Sequence, residues 1–162
     1  MADFNASFQF LMDSEDSRRT WADVPDSGGY AIAGINSRFF PVQYEAIKAI
    51  PQAQRGPSVS AFYRKYFWNE WLDTLTSTEI AKRVFDSAVN QGSQTAVKLL
   101  QLAVSVSYSH LYADGLWGPK TLATVNAAPS DALVQAFKNE RIDAYQRIGG
   151  TNLKAWIARA NR

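Results

Sequence analysis

SEDSRRTWADVPDSGGYAIAGIN, from Ser14 to Asn36, holds the seam between two kinds of structure. Upstream of it, Phe4, Phe8, Leu11 and Met12 recur at helical spacing, which predicts an amphipathic helix over about residues 3–16 with Glu15 at or near its end. Downstream, Pro25-Asp26-Ser27-Gly28-Gly29 followed by Tyr30 to Ile35 reads as a tight turn leading into a short extended segment. A glutamate at the C-terminal end of a helix is electrostatically disfavoured, so its presence there asks for a reason. A carboxyl between an apolar helix and a small β lobe is where partial burial can raise a pKa and fit the group for general-acid work. Asp23 and Asp26, 8 and 11 residues further on, are the candidates for a second carboxylate.

Outward from that seam the chain reads as helices punctuated by proline and glycine. Pro41 opens a helix over Val42 to Ile50, and Pro51 stops it. Pro57 opens another that carries Phe62 and Tyr66 and runs on through Trp68 to Leu72. Thr76 and Glu79 have capping-box spacing ahead of Val84, Phe85, Ala88 and Val89. Gly92 ends that helix and Ser93 caps the next, through Leu99, Leu100 and Val104. Asp114 to Pro119 forms a second turn, Ser130 caps a long helix, and Thr151 caps a last short one through Trp156. Only residues 28–37 are predicted to be β-like. The expectation is a mainly α single domain over 1–162, with a glutamate-bearing half at 1–92 and a helical half at 93–162.

Composition excludes several functions. The chain has 162 residues, large enough for a sizeable core, and its 46% hydrophobic content argues against disorder. There is no cysteine, so disulfide and thiol chemistry are excluded, and a single histidine, His110, rules out multi-histidine metal sites. A net charge of +2 is no signature of nucleic-acid binding, and no apolar run reaches membrane-span length, so no stable membrane insertion is expected. Residues Met1 to Asp13 lack the basic start and apolar stretch of a signal peptide. The expectation is synthesis in the cytoplasm.

Aromatic residues make up 13% of the chain, and their faces suit both cores and sugar platforms. Tyr63, Tyr66, Phe67, Trp68 and Trp71 read mostly as core, with Trp68 the candidate for stacking on a sugar ring. Asp86 and Asn90 lie four residues apart on one helix face. They are either internal hydrogen-bond partners or part of a substrate cleft. A pair of carboxylates is also what glycoside hydrolysis uses, which makes Glu15 with Asp26 or Asp23 the leading constellation.

Three pieces together resemble the family 108 glycoside hydrolases, the phage and bacterial N-acetylmuramidases. That family's motif is a glutamate followed by two glycines and a tyrosine, then Asp, Gly-Gly, Thr and a Gly-Ile pair. Here the matching positions are Glu15, Asp26, Gly28, Gly29, Gly34 and Ile35. The middle of the chain, with YRKYFW at 63–68, VFDSAVNQG at 84–92 and LLQLA at 99–103, is similar to the same family. The last third, with ADGLWGPKT at 113–121, resembles the predicted peptidoglycan-binding region that accompanies these enzymes.

The resemblance implies a lysozyme-like fold with a small β-like hairpin lobe after the helix that carries Glu15. It implies a muramidase with Glu15 as general acid and Asp26 as second carboxylate. Tyr30, Asn36, Asp86, Asn90 and Trp68 are its candidate substrate-binding residues. It implies no cofactor or metal, peptidoglycan glycan strands as the partner, a monomer, and no identified inhibitor or secretion partner. The place of action would be the periplasm or outside, after delivery by a holin, a phage or a secretion system. Two departures stand out. Asp16, Ser17 and Arg18 follow Glu15 in place of Gly-Gly-Tyr, and Ala31 stands where the family tends to carry Thr. A hydroxyl there is expected to orient the attacking water, and Tyr30 and Asn36 are the candidates to replace it. A lytic transglycosylase and a non-catalytic cell-wall binding module are the alternatives, and inverting versus retaining chemistry stays open.

Overall fold

A computed structural model of the protein describes residues 1–26, 28–108 and 110–162. Among these, nine α-helices, one 3-10 turn and one three-stranded antiparallel sheet are present. This is the mainly α, lysozyme-like class with a small β lobe that the sequence predicts. The chain forms two compact units, Phe8–Asn69, and Met1–Ser7 together with Glu70–Arg162.

The Phe8–Asn69 unit begins within α1 (Phe4–Glu15), whose Phe8, Leu11 and Met12 are buried at the expected spacing. Strands β1 (Asp23–Asp26), β2 (Gly29–Ile32) and β3 (Ile35–Asn36) follow in the order β1-β2-β3. The β lobe therefore starts at Asp23, five residues before the predicted 28–37 segment. Pro25 hid β1, yet β1 is an edge strand, where a proline lacking an N–H is tolerated. Ser27, in the predicted turn, lies outside the described residues. Helix α2 (Pro41–Lys48) takes Pro41 into its first turn as expected. Arg55, nearly buried, then closes its end: Nη2 donates to the Lys48 carbonyl (2.9 Å), Nε to Ile50 (3.0 Å) and Nη1 to Trp21 (2.9 Å). Helix α3 (Gly56–Tyr66) buries Val59, Phe62 and Tyr63, and the Phe62 ring meets Phe40 edge-on at 4.9 Å.

The predicted continuation of α3 to Leu72 is broken. Phe67 leaves the helical region (φ −129°), and the Trp68 N–H reaches back to the Tyr63 carbonyl at 3.2 Å. The turn tucks the Trp68 ring inside, only 5% exposed, which a continuous helix would not require. A separate short helix, α4 (Glu70–Thr74), opens the longer segment of the other unit.

That unit contains α5 (Thr78–Gln91), α6 (Ser93–Ser107), α7 (Pro119–Ala127), α8 (Ser130–Ile148) and α9 (Leu153–Ala160). The cap of α5 is Ser77, whose hydroxyl accepts from the Ile80 N–H, and not the predicted Thr76. Thr76 gives its N–H to Asn126 (2.9 Å), while Glu79 pairs with Lys82 and Arg83. Ser130 is the first residue of α8 and not its cap; its hydroxyl meets that of Ser77 at 2.5 Å. Phe85, Leu100, Val104, Leu133 and Phe137 form the apolar interior. The Asp114–Pro119 turn is built around buried Gln101. Its NH2 donates to Asp114 Oδ1 (2.9 Å) and the Leu116 carbonyl (3.0 Å), and its oxygen accepts from Gly115 N–H (2.9 Å). Gly115 is held at φ +76°, where an added Cβ would strike Gln94. His110 lies exposed beyond the end of α6.

At the centre of this unit Asp86 has no solvent exposure. Its Oδ2 pairs with Arg141 Nη2 at 2.8 Å and its Oδ1 with Arg159 Nη2 at 2.9 Å, so one carboxylate joins α5 to α8 and α9. Removing one charge of a buried pair leaves the other uncompensated. Asp86→Asn is therefore expected to lower stability by about 3–5 kcal/mol. Denaturant unfolding of the two proteins checks this, and a loss below about 1 kcal/mol contradicts a central role for the pair.

Candidate active site

Glu15 is the last residue of α1 and is half-buried. The chain after it is tightly organised. Asp16 Oδ1 accepts from the Thr20 N–H (3.0 Å) and Oδ2 from the Trp21 N–H (2.6 Å). Arg19 Nη2 donates back to Asp13 Oδ1 at 2.6 Å and to the Gln9 carbonyl at 3.0 Å. Arg19 and Trp21 both sit at φ 52°, a left-handed conformation that costs non-glycine residues energy. These bonds hold the strained loop. Asp16 organises it, so the residues that stand in place of Gly-Gly-Tyr after Glu15 build a turn of their own.

The next structure over the Glu15 carboxyl is the β2–β3 turn. Ile32 pairs with Ile35, so only Ala33 and Gly34 connect the strands. Their φ values, +47° and +80°, are those of a type I′ hairpin turn. Ala33 pays about 1–2 kcal/mol for the left-handed region. Its carbonyl accepts a buried hydrogen bond from the Tyr63 hydroxyl at 2.7 Å, which fixes the turn against α3. Gly34 is required twice over. Its φ favours glycine, and a Cβ built on it would overlap the Glu15 carboxylate and lie 2.7 Å from the Tyr63 hydroxyl. Glu15, the turn and Tyr63 thus form one close-packed group.

The sheet separates the two aspartates. Side chains alternate along a strand, so Asp23 and Asp26, an odd number of residues apart, face opposite sides of β1. Asp23 turns toward α2: Tyr44 donates its hydroxyl to Oδ1 at 2.7 Å, and Lys48 Nζ pairs with Oδ2 at 3.1 Å. Burial raises the Asp23 pKa, but the bonds from Tyr44 and Lys48 and the charges of Lys48 and Arg55 outweigh it and hold the carboxyl below its ordinary value. Lys48 is raised in turn, by its bonds to Tyr44 and Asp23. Asp26 is on the other face and exposed, and its Oδ2 accepts from Asn36 Nδ2 at 2.7 Å. Asn36 Oδ1 accepts from the Arg38 N–H, also at 2.7 Å, so this buried amide is held at both ends.

Ala31 pairs directly with Asn36 and with Val24, and it shares the Asp26 face. Tyr30 points to the opposite face, half-exposed, with Lys48 Nζ 5.7 Å from its ring centre. Of the two predicted replacements for a hydroxyl at position 31, only Asn36 is on the matching side. The structure thus brings Glu15 together with Tyr63, and Asp26 together with Asn36. Trp68 is interior, under the Arg64 guanidinium. Asp86 is fully enclosed by its arginines, and Asn90, in the other unit, is exposed and bonded to Tyr145. Among the described residues no cluster of His, Cys, Asp and Glu is disposed to hold a metal, and no helix is long and apolar enough to cross a membrane. Tyr63 and the Tyr44–Lys48 clamp escaped the sequence reading. The i, i+4 spacing of Tyr44 and Lys48 was the one local signal available.

Residues 8–92, which span this whole arrangement, match glycosyl hydrolase 108. The chain belongs to glycosyl hydrolase family 108. Residues 95–161 match the predicted peptidoglycan domain. The fold is similar to the structure of Brucella abortus SagA, with a TM-score of 0.70 and 25% identity over 98% of this chain and 90% of that one. Comparison with curated proteins returns no match. This family 108 member is accordingly a glycoside hydrolase, and its polymer is peptidoglycan. The family segment ends after α5, whereas the compact units divide at Asn69, so α5 belongs to the hydrolase match by sequence and to the second unit by packing.

Two outcomes follow from this geometry. Gly34→Ala is expected to lose more than about 1 kcal/mol of stability, because Ala resists the positive φ, and to displace the Glu15 carboxyl as well. Equilibrium unfolding together with turnover on purified peptidoglycan checks both; wild-type values would show that the turn tolerates a side chain. The second concerns pH. Because Asp23 is lowered in the folded state, its contribution is fully present above its ordinary value of 3.8 and is lost as pH falls through the folded pKa. Asp23→Asn should be less stable than wild type at neutral pH, with the gap closing in acid. Melting temperatures from pH 6 to pH 2 give the comparison, and a gap constant with pH contradicts it.

Proposed function

We propose that this protein hydrolyses the glycosidic bond between N-acetylmuramic acid and N-acetylglucosamine, with Glu15 as general acid. The observation that carries the reading is the β2–β3 turn folded onto the Glu15 carboxyl, with glycine at the one position where a side chain would collide with it. Glu15 donates its proton to the leaving oxygen as the bond breaks. Asp26, aimed by Asn36, either activates water or stabilises the oxocarbenium-like transition state. Asp23 does not compete for this role, being committed to Tyr44 and Lys48 on the other face. Asn36 stands beside Ala31 and takes over the polar work of the absent hydroxyl.

Ala31 is also the specific observation that favours a second reading, lytic transglycosylation, which uses one acid and needs no oriented water. The products separate the two, since hydrolysis leaves a reducing muramic end and transglycosylation an anhydro-muramic end. Glu15→Gln is expected to lose activity about a hundred- to ten-thousand-fold while keeping its fold. Muropeptide release from purified sacculi, followed by mass spectrometry, measures this. Wild-type turnover by the folded variant would overturn the assignment of Glu15, and a larger loss in Asp23→Asn than in Asp26→Asn would overturn that of Asp26.

A further inference from the structure

The unit made of Met1–Ser7 and Glu70–Arg162 contains a cleft of about 450 Å³, and none of its lining residues belongs to the Phe8–Asn69 unit that carries Glu15. One wall is polar and comes from the end of α5 and the start of α6: Asn90, Gln91 and Thr95. The other is apolar and comes from α8 and α9: Tyr145, Ile148 and Trp156. The two aromatic rings stack with centres 5.5 Å apart, and Ile148 is 67% exposed.

The polar wall is organised from beneath. Asp86 fixes the Arg141 guanidinium, and Arg141 Nε donates to Gln91 Oε1 at 3.4 Å. Ser87 donates to the same oxygen at 2.8 Å. Arginine can only donate, so the Gln91 amide is oriented with its oxygen inward. Asn90 Oδ1 accepts from the Tyr145 hydroxyl. Both amides therefore spend their oxygens on the protein, and among the described residues neither NH2 group has a protein partner. The cleft thus sets two oriented amide NH2 donors against an aromatic and aliphatic wall. A ligand that satisfies both sides offers a carbonyl acceptor with a small apolar group attached. A free carboxylate is a poorer match, because the nearby guanidiniums are already committed to Asp86.

We propose that this cleft binds the acetamido-type groups of peptidoglycan, with the carbonyl accepting from Asn90 and Gln91 and the methyl packed against Trp156 and Ile148. The inference rests on peptidoglycan as the polymer and adds a binding site remote in sequence from Glu15. The same chemistry occurs in the N-acetyl groups of the glycan and in the alanyl amides of the stem peptide.

The test uses full-length Glu15→Gln protein, so that no ligand is cleaved. Chitotriose, its fully deacetylated counterpart and a sugar-free stem tetrapeptide are titrated at pH 7 while the side-chain NH2 resonances of Asn90 and Gln91 and the Trp156 indole are followed by NMR. The expected result is saturable shifts at all three residues with chitotriose or with the tetrapeptide, and none with the deacetylated sugar. Whichever of the two binds identifies the source. The paired change Asn90→Asp with Gln91→Glu keeps every oxygen that accepts from Tyr145, Ser87 and Arg141 but removes the donors. It should weaken binding about tenfold or more with the melting temperature retained. Equal shifts with the deacetylated sugar, undiminished binding by the paired variant, or no shift at these residues with any ligand would overturn the proposal. Digestion of sacculi by the unmodified protein is measured alongside. Cleavage without cleft binding defeats only this inference, and binding without cleavage defeats only the assignment at Glu15.

Discussion

Asp86 is wholly buried, and its carboxylate is paired with two guanidiniums on different helices. A buried ion pair gains little over a well-packed apolar core, because desolvation offsets most of the attraction. Its consequence is geometric: α5, α8 and α9 can each take only the position that keeps the charges matched. Leu133 and Phe137 supply the burial on the α8 side, and Phe85 does so on α5. The arginines supply the register. Arg141 passes that order on to Gln91, so one carboxylate deep in the unit fixes an amide at its surface. The same bond explains why a segment that matches the hydrolase family at its C-terminal end packs with the peptidoglycan domain. Separating α5 from α8 would strand charges in the interior.

In the Phe8–Asn69 unit the controlling constraint is the absence of a side chain. Gly34 lets the hairpin close to within contact of Glu15, and Tyr63 ties that hairpin down through the Ala33 carbonyl. Two left-handed residues in succession and a buried hydrogen bond hold a carboxyl that a helix C-terminus alone would disfavour. The sheet does the rest by alternation. With Asp23 and Asp26 on opposite faces, one becomes part of the clamp on α2 and the other accepts from Asn36. No change of residue type is needed for that division of roles, only a difference of three in position.

Glu15 at the helix end, the extended segment from Gly29, and most helix starts were legible, because prolines, glycines and apolar periodicity are local signals. What escaped depends on distant partners. Strand β1 carries a proline, and only its place at the sheet edge makes that acceptable. The break after Tyr66 has no glycine or proline to announce it; burial of Trp68 decides it. Thr76 has the better capping-box spacing, but Asn126, fifty residues away, takes it, and Ser77 caps instead. Tyr63 reads as one more core aromatic until Ala33 is placed against it. Gln101 reads as an ordinary helical glutamine, although the whole Asp114–Pro119 turn is pinned to it.

The missing hydroxyl at position 31 looks like a lesion in the sequence and like a substitution in the fold. In a three-stranded ladder the residue across from Ala31 is Asn36, and it reaches Asp26 on the same face. An amide held at both ends, by Asp26 and by the Arg38 N–H, has less freedom than a hydroxyl that can rotate. If Asp26 is the second carboxylate, as proposed, a single oriented donor would aim it, and it in turn would aim the water that the resemblance assigns to a threonine hydroxyl. On the proposed mechanism the polar function has moved one strand sideways. Catalysis depends on such aim to within fractions of an ångström, so the rigidity of Asn36, more than the identity of residue 31, sets how well Asp26 can serve.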